Sequence, residues 1–268
     1  MRLASNTVLV TGGASGIGLA IVERFLRADS TVLVCGRREE RLRELADTHP
    51  GVATRVCNVA DEAERVALID WAATRFPALN VLVNNAGIQR FPVLADGEDW
   101  ALTRNEVAIN FDAPVHLSRL VLPHLLRQPH GAIVNITSGL SFAPLARAPI
   151  YSATKAALHS FTLSLRHQLA GSPVEVIEII PPAVDTDLGG PGLHTFGVRV
   201  GEFADAVMRR IDQGETEVGY DFAERARHAS RAELDEMFAR MNQRPPPDAK
   251  HKGTSGPWAP QNPSTFRT

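Results

Sequence analysis

Lysine is nearly absent from this chain. Of 28 basic residues only three are lysines, Lys155 and the pair Lys250 and Lys252 near the C-terminus, so arginine carries almost all positive charge. Two cysteines, Cys35 and Cys57, cannot make a disulfide framework and read as reduced core residues. A net charge of −2 leaves no basic field for a nucleic acid or an anionic membrane surface. No apolar run reaches the length of a membrane span. "MRLASNTVLV" enters an apolar strand directly, with no signal-peptide core behind a basic start. Nine histidines are scattered without ligand spacing, so no metal is expected. These absences predict a cytoplasmic globular protein without nucleic-acid or membrane partners.

What is present is a 268-residue chain with 44% hydrophobic content, enough to bury a full core. "NTVLVTG", "STVLVCG", "VATRVCN", "NVLVNN", "GAIVNIT" and "VEVIEII" are short, continuously apolar, β-branched runs. That pattern fits strands buried on both faces of a parallel sheet. Helix-period segments such as "IGLAIVERFLRA", "EERLRELADT", "EAERVALIDWAATRF" and "DAPVHLSRLVLPHLLRQ" separate them. Strict β/α alternation predicts an α/β fold: one Rossmann-like domain, a doubly wound parallel β-sheet flanked by helices, over residues 1–242. Residues 243–268 lack periodicity and are rich in proline, glycine and serine, which predicts a flexible tail.

The first strand ends in "TGGASGIG". Gly12, Gly16 and Gly18, with Ser15 and Ile17 between them, fall where such folds turn from strand into helix and hold a pyrophosphate. Glycine permits the tight turn and the close backbone approach, and the helix N-terminus offers free N–H groups. The second strand ends Cys35, Gly36, Arg37, Arg38, without the acid that would accept from the ribose hydroxyls of NAD. Guanidinium groups suit a 2′-phosphate, so NADP(H) is expected over NAD(H). The plainer explanation is that both arginines open a charged helix, "RREERLREL".

Tyr151, one of two tyrosines, stands four residues before Lys155 and just after Pro149, a residue suited to the first turn of a helix. Both side chains should share a helix face. A phenol titrates at about 10, and a nearby ammonium is expected to lower that value. Tyrosine so tuned can protonate a carbonyl oxygen or deprotonate an alcohol. "GAIVNITSG" delivers Ser138 at the carboxyl end of the fifth strand, the edge where open α/β sheets bind ligands.

Together "TGGASGIG", "NNAG", Asn110 in "VAIN", Ser138 and "YSATK" resemble, in order and spacing, the short-chain dehydrogenase/reductase family over roughly residues 5–187. The resemblance implies hydride transfer between a nicotinamide cofactor and a small-molecule carbonyl or alcohol. It implies Tyr151 as acid/base, Lys155 tuning it and holding the nicotinamide ribose, Ser138 positioning substrate, and Asn110 holding a water in a relay to Lys155. It also implies Asn58 and Val59 beside the adenine, and Asn85, Ala86 and Gly87 along the adenosine side. Pro181, Val184 and Thr186 in "PPAVDTDL" would border the nicotinamide.

The chain departs from that pattern at Pro182, where glycine is usual, at Asn58, where aspartate is usual, and in "ETEVGYDF". The last replaces the family's Asp-Gly-Gly strand, leaving a helix from about Ala223 to Asn242. That strand often builds tetramers in relatives, so a homodimer through the helices carrying His116 and Tyr151 is favoured over a tetramer. "DLGGPGLHTFGVRVG" predicts a short mobile lid. Leu140, Phe142, Leu145, Leu188, Leu193 and Phe196 suggest apolar pocket walls. Arg147 could meet an acidic substrate or be a solvated loop residue, and His194 is the one lid histidine worth testing. A non-catalytic NADP(H)-binding redox regulator has no need of the Asn110, Ser138, Tyr151, Lys155 set. An epimerase or dehydratase of the extended branch needs a larger substrate domain after the sheet.

Overall fold

The computed structural model describes residues 1–97 and 99–243, so the expected tail lies outside the described residues apart from Gln243. Seven parallel strands form one sheet in the order β3-β2-β1-β4-β5-β6-β7. They are β1 Thr7–Thr11, β2 Thr31–Gly36, β3 Ala53–Val56, β4 Val81–Asn84, β5 Gly131–Ile136, β6 Val174–Ile180 and β7 Glu217–Gly219. The helices are α1 Gly16–Arg27, α2 Glu39–Thr48, α3 Glu62–Arg75, α4 Trp100–Val107, α5 Ala113–Leu125, α6 Pro149–Gln168, α7 Val200–Asp212, α8 Phe222–His228 and α9 Arg231–Met241. The order reverses between β1 and β4, and crevices at such reversals are where these folds bind ligands.

Strand residues alternate between two buried faces. Val8, Val10, Val32 and Val34 pack with Ile21, Phe25, Leu42, Phe203 and Val207 on the side of α1, α2 and α7. Leu9, Leu33, Leu82 and Ile133 pack with Leu68, Leu117, Val121 and Leu165 on the side of α3, α5 and α6. Consecutive apolar residues in the central strands are what a doubly covered parallel sheet requires. Full burial of each is worth about 1.5–3 kcal/mol.

Two expectations are corrected. A seventh strand does form where the last strand was expected to be missing: Ile179 pairs with Val218 and Ile180 with Gly219. Its three residues contain one apolar side chain, Val218, too few for a hydrophobic pattern to reveal. The single helix expected over Ala223–Asn242 is two. Ala229 is extended and Ser230 starts α9 with a capping box, its hydroxyl taking the Glu233 N–H while the Glu233 carboxylate takes the Ser230 N–H. Neither α4 nor the π-helical turn Ala108–Asp112 that follows it was expected.

Candidate functional site

The sequence-predicted residues collect along one edge, at the carboxyl ends of β1 to β6. Gly12 (φ +66°) turns the chain out of β1, and a Cβ there would lie 3.0 Å from Ala86 Cα. Gly16 (φ +56°) opens α1 beneath Thr186, whose Cγ2 a Cβ would meet at 3.3 Å. Only glycine satisfies both the positive φ and the close approach. Ser15 is the N-cap of α1 and accepts at Oγ from Arg38 Nη2 at 2.8 Å. Ile17 and Gly18 lie in the first turn of α1.

Asn85 follows β4 and braces this turn. Its Nδ2 donates to the carbonyls of Thr11 (2.9 Å) and Gly12 (3.2 Å), while the N–H groups of Asn85 and Ala86 both donate to Thr11 Oγ1 at 3.0 Å. Asn85 thus shapes the glycine turn. Asn58 accepts at Oδ1 from Ala60 N at 3.2 Å, which shapes its own loop. Val59 is buried, and its carbonyl takes Arg65 Nη1 at 2.7 Å. Arg37 is exposed at the end of β2, and Arg38 caps α2. A cradle that a Cβ would fill and the N-terminus of α1 fit the pyrophosphate of a dinucleotide, with two guanidinium groups at its flank.

Asn110 sits in the π-helical turn, a distortion frequent at functional sites. Its Nδ2 donates to Ile88 O at 2.8 Å and its Oδ1 accepts from Ile88 N at 2.9 Å, with a further contact to Thr154 Oγ1 at 3.3 Å. The loop after β4 is thereby fixed to α6. Gly87 lies between them, where a Cβ would be 3.4 Å from Asn110 Oδ1 and 3.8 Å from Lys155 Nζ.

Ser138 ends the β5 segment, accepts from Leu140 N at 3.1 Å and lies close enough to the Tyr151 hydroxyl to lower its pKa. Tyr151 and Lys155 share the buried face of α6, with Nζ 5.7 Å from the phenol ring centroid. The expected lowering of the Tyr151 pKa by Lys155 is not what this geometry gives. Burial pushes the phenol up to about 12, Ser138 pulls it down and Glu106 adds to the rise. Lys155 points its ammonium at Ile136 O, 2.7 Å away, and burial draws its own pKa down to about 8. Pro181 accepts from Gly139 N at 2.9 Å, and Val184 bridges to Val198, setting the start of the lid.

The pocket walls are less apolar than expected. Phe142 packs edge-on against His159, with ring centroids 4.7 Å apart. Leu193 is 44% exposed and Phe196 72%, so the lid leaves both largely in solvent.

Sequence reasoning missed a network below the site. Glu178 on β6 is fully buried, and its Oε1 accepts from Thr137 Oγ1 at 2.6 Å. His159 Nδ1 lies 2.9 Å from both of its carboxylate oxygens. Thr137 adjoins Ser138, and His159 is one turn beyond Lys155, so one carboxylate ties β5, β6 and α6 together. The signal was available: a glutamate facing inward in "VEVIEII" must be paired to be tolerated.

A parallel sheet with a glycine turn after β1 and a Ser/Tyr/Lys cluster after β5 defines a dinucleotide-dependent oxidoreductase of the Rossmann class. The family model for short chain dehydrogenase matches residues 6–193. The oxidoreductase DltE of Bacillus subtilis (strain 168) is 47% identical over 248 residues, covering 90% of this chain and 98% of that protein. Sulfoacetaldehyde reductase 2 of Chromohalobacter salexigens is 36% identical over 187 residues, 68% of this chain and 74% of that one. Among solved structures, a short chain dehydrogenase from Burkholderia cenocepacia J2315 in complex with NADP superposes with a TM-score of 0.78 at 26% identity, covering 91% of this chain and all of that one. The chain belongs to the short chain dehydrogenase family of pyridine-nucleotide-dependent oxidoreductases. Among the described residues no helix is long and apolar enough to cross a membrane.

Proposed function

We propose that this protein is an NADPH-dependent carbonyl reductase in which Tyr151 delivers the proton. The observation that carries this reading is the buried Tyr151 phenol, set beside Ser138 at the carboxyl edge of the sheet with Lys155 one helical turn away. At neutral pH the phenol carries its proton and can give it to a carbonyl oxygen, the step that reduction needs. The cofactor, when bound, supplies the hydride.

The chain's own residues do the rest. Gly12, Ser15, Gly16, Ile17 and Gly18 receive the pyrophosphate against the first turn of α1. Arg37 and Arg38 take the 2′-phosphate, with Arg38 already held at Ser15. Val59 and the Asn58 backbone border the adenine, Asn85, Ala86 and Gly87 flank the adenosine, and Pro181, Val184 and Thr186 border the nicotinamide. Ser138 donates to the substrate oxygen, and Tyr151 gives that oxygen its proton. Lys155 supports the developing phenolate with its charge and contacts the nicotinamide ribose, while Asn110 fixes the loop over α6. Pyridine-nucleotide dependence is a property of the family, whereas the preference for the phosphorylated cofactor rests on the two arginines alone. We place the contact of a homodimer on α5 and α6, where Leu163 stays exposed.

The test is oxidation of NADPH and of NADH followed with a panel of aldehydes and ketones. The reading expects turnover with NADPH at a kcat/KM well above that with NADH. Equal rates would remove the NADPH assignment. No turnover with any carbonyl, in a protein that still binds the cofactor, would favour the redox regulator instead.

A further inference from the structure

Beside the Ser138, Tyr151, Lys155 cluster, side chains with unused polar capacity gather from separate loops. Among the described residues, Gln89, 6% exposed, keeps its Oε1 buried without a hydrogen-bond partner, and Ser141 Oγ and His194 Nδ1 are likewise buried and unpaired. Buried polar atoms are costly to leave unpaired, and functional sites are where they persist.

These loops meet. A Cβ on Gly189 in the lid would lie 3.2 Å from Gln89 O and 3.3 Å from Phe91 Cε2. The Arg147 guanidinium stands 5.0 Å over the Phe91 ring. Arg147 is also close enough to His194 that its charge, after burial, is the next cause holding that imidazole below its ordinary pKa. Ser141 belongs to the turn Gly139–Ser141 that Ser138 caps.

Arg147 is exposed, but the backbone that carries it is held on both sides. Asn242 grips the chain on its N-terminal side, accepting from Ala146 N at 2.7 Å and donating to Pro144 O at 3.1 Å. Ser152 accepts from Leu145 N at 3.1 Å and donates to Ala148 O at 2.9 Å, closing the loop from the other side. Among the described residues no carboxylate pairs with Arg147, whereas neighbours in the fold such as Arg166 and Arg210 each have one. A guanidinium carried on a held backbone, stacked over Phe91 and close to the His194 ring, is a set of donors whose planar fork matches a carboxylate.

We propose that the carbonyl substrate is an oxo acid, whose carboxylate is held by Arg147 with Ser141 and His194 while its carbonyl meets Ser138 and Tyr151. This deepens the reductase reading and rests on it. Arg147 stands in the loop that leads into α6, the helix that carries Tyr151. The carbonyl carbon gains the hydride of the reduced nicotinamide, its oxygen gains the Tyr151 proton, and a hydroxy acid leaves.

The experiment compares succinic semialdehyde with butanal, which has the same carbon count and no carboxylate, in wild type and in Arg147→Met. Wild type should favour the acid in kcat/KM by about 10- to 100-fold, the worth of hydrogen bonds to a charged group. In Arg147→Met that ratio should fall by at least about tenfold, chiefly through KM for the acid. A wild type without preference, or a variant that loses both activities in proportion, overturns the proposal and leaves the reductase reading standing. If neither aldehyde is reduced, the reductase reading fails and calorimetry with succinate against succinamide decides the anion site alone. Succinate binding that Arg147→Met abolishes supports it; succinate and succinamide binding alike overturns it.

Discussion

His159 and Glu178 face each other across α6 and β6, the histidine Nδ1 being 2.9 Å from both carboxylate oxygens of a fully buried glutamate. A buried carboxylate left without its partner is strongly destabilising, by about 3–5 kcal/mol for a fully buried pair. His159→Leu should approach that loss in urea unfolding, and Glu178→Gln, which keeps an acceptor for Thr137, should lose less. The Glu178 hydrogen bond is the chief cause that raises the His159 pKa; Glu217 raises it further, while burial and Arg166 oppose. The stabilisation is therefore complete below the ordinary histidine value of about 6.5 and is lost as pH rises through the higher folded value. His159→Leu should erase that slope. An unchanged slope would show that the imidazolium is not what holds Glu178.

Replacing Arg37 and Arg38 together by alanine should lower NADPH affinity by about 10- to 100-fold, the worth of charged hydrogen bonds, and leave NADH affinity within about threefold. Titration of both cofactors into both proteins measures it. A parallel loss of both would mean that the arginines shape the turn through Ser15 and do not read the phosphate.

Lys155 makes opposite demands on stability and activity. Burial lowers its pKa from 10.5 to about 8, so holding the charge inside costs stability at neutral pH. Between about 8 and 10.5 the unfolded chain binds more protons than the folded one, and wild-type stability gains with pH there. Lys155→Met should be more stable than wild type at pH 7, by roughly 1–3 kcal/mol, with the gap closing toward pH 10. It should also be nearly inactive. Wild-type carbonyl reduction should decline as pH rises through about 8, where Lys155 loses its charge, because the phenol at about 12 keeps its proton throughout. A profile flat to pH 10 would detach Lys155 from the chemistry.

Much of this was legible in the residues. β1, β2, β4 and β5 read as apolar runs, and the glycine turn, Asn110, Ser138 and the Tyr151/Lys155 pair are separated by element lengths that an alternating sheet brings to one edge. β3, Ala-Thr-Arg-Val, is by contrast an edge strand with no buried residue. β7 escaped because Val218 is its only apolar side chain, and the break between α8 and α9 because a capping box at Ser230 outweighs helical periodicity. The reversed shift at Tyr151 was not legible, since burial is a property of the packed site. Arg147 was ambiguous for the same kind of reason: what distinguishes it is a brace from Asn242, almost a hundred residues away.

The most direct test of the central claim is single-turnover reduction of a carbonyl by Tyr151→Phe, with cofactor binding measured on the same preparation. The account predicts cofactor affinity within about twofold of wild type and a hydride-transfer rate lower by at least about 100-fold, the contribution of a positioned proton donor. Reduction at a near-wild-type rate with the cofactor bound would contradict it, because the proton would then come from somewhere other than this phenol.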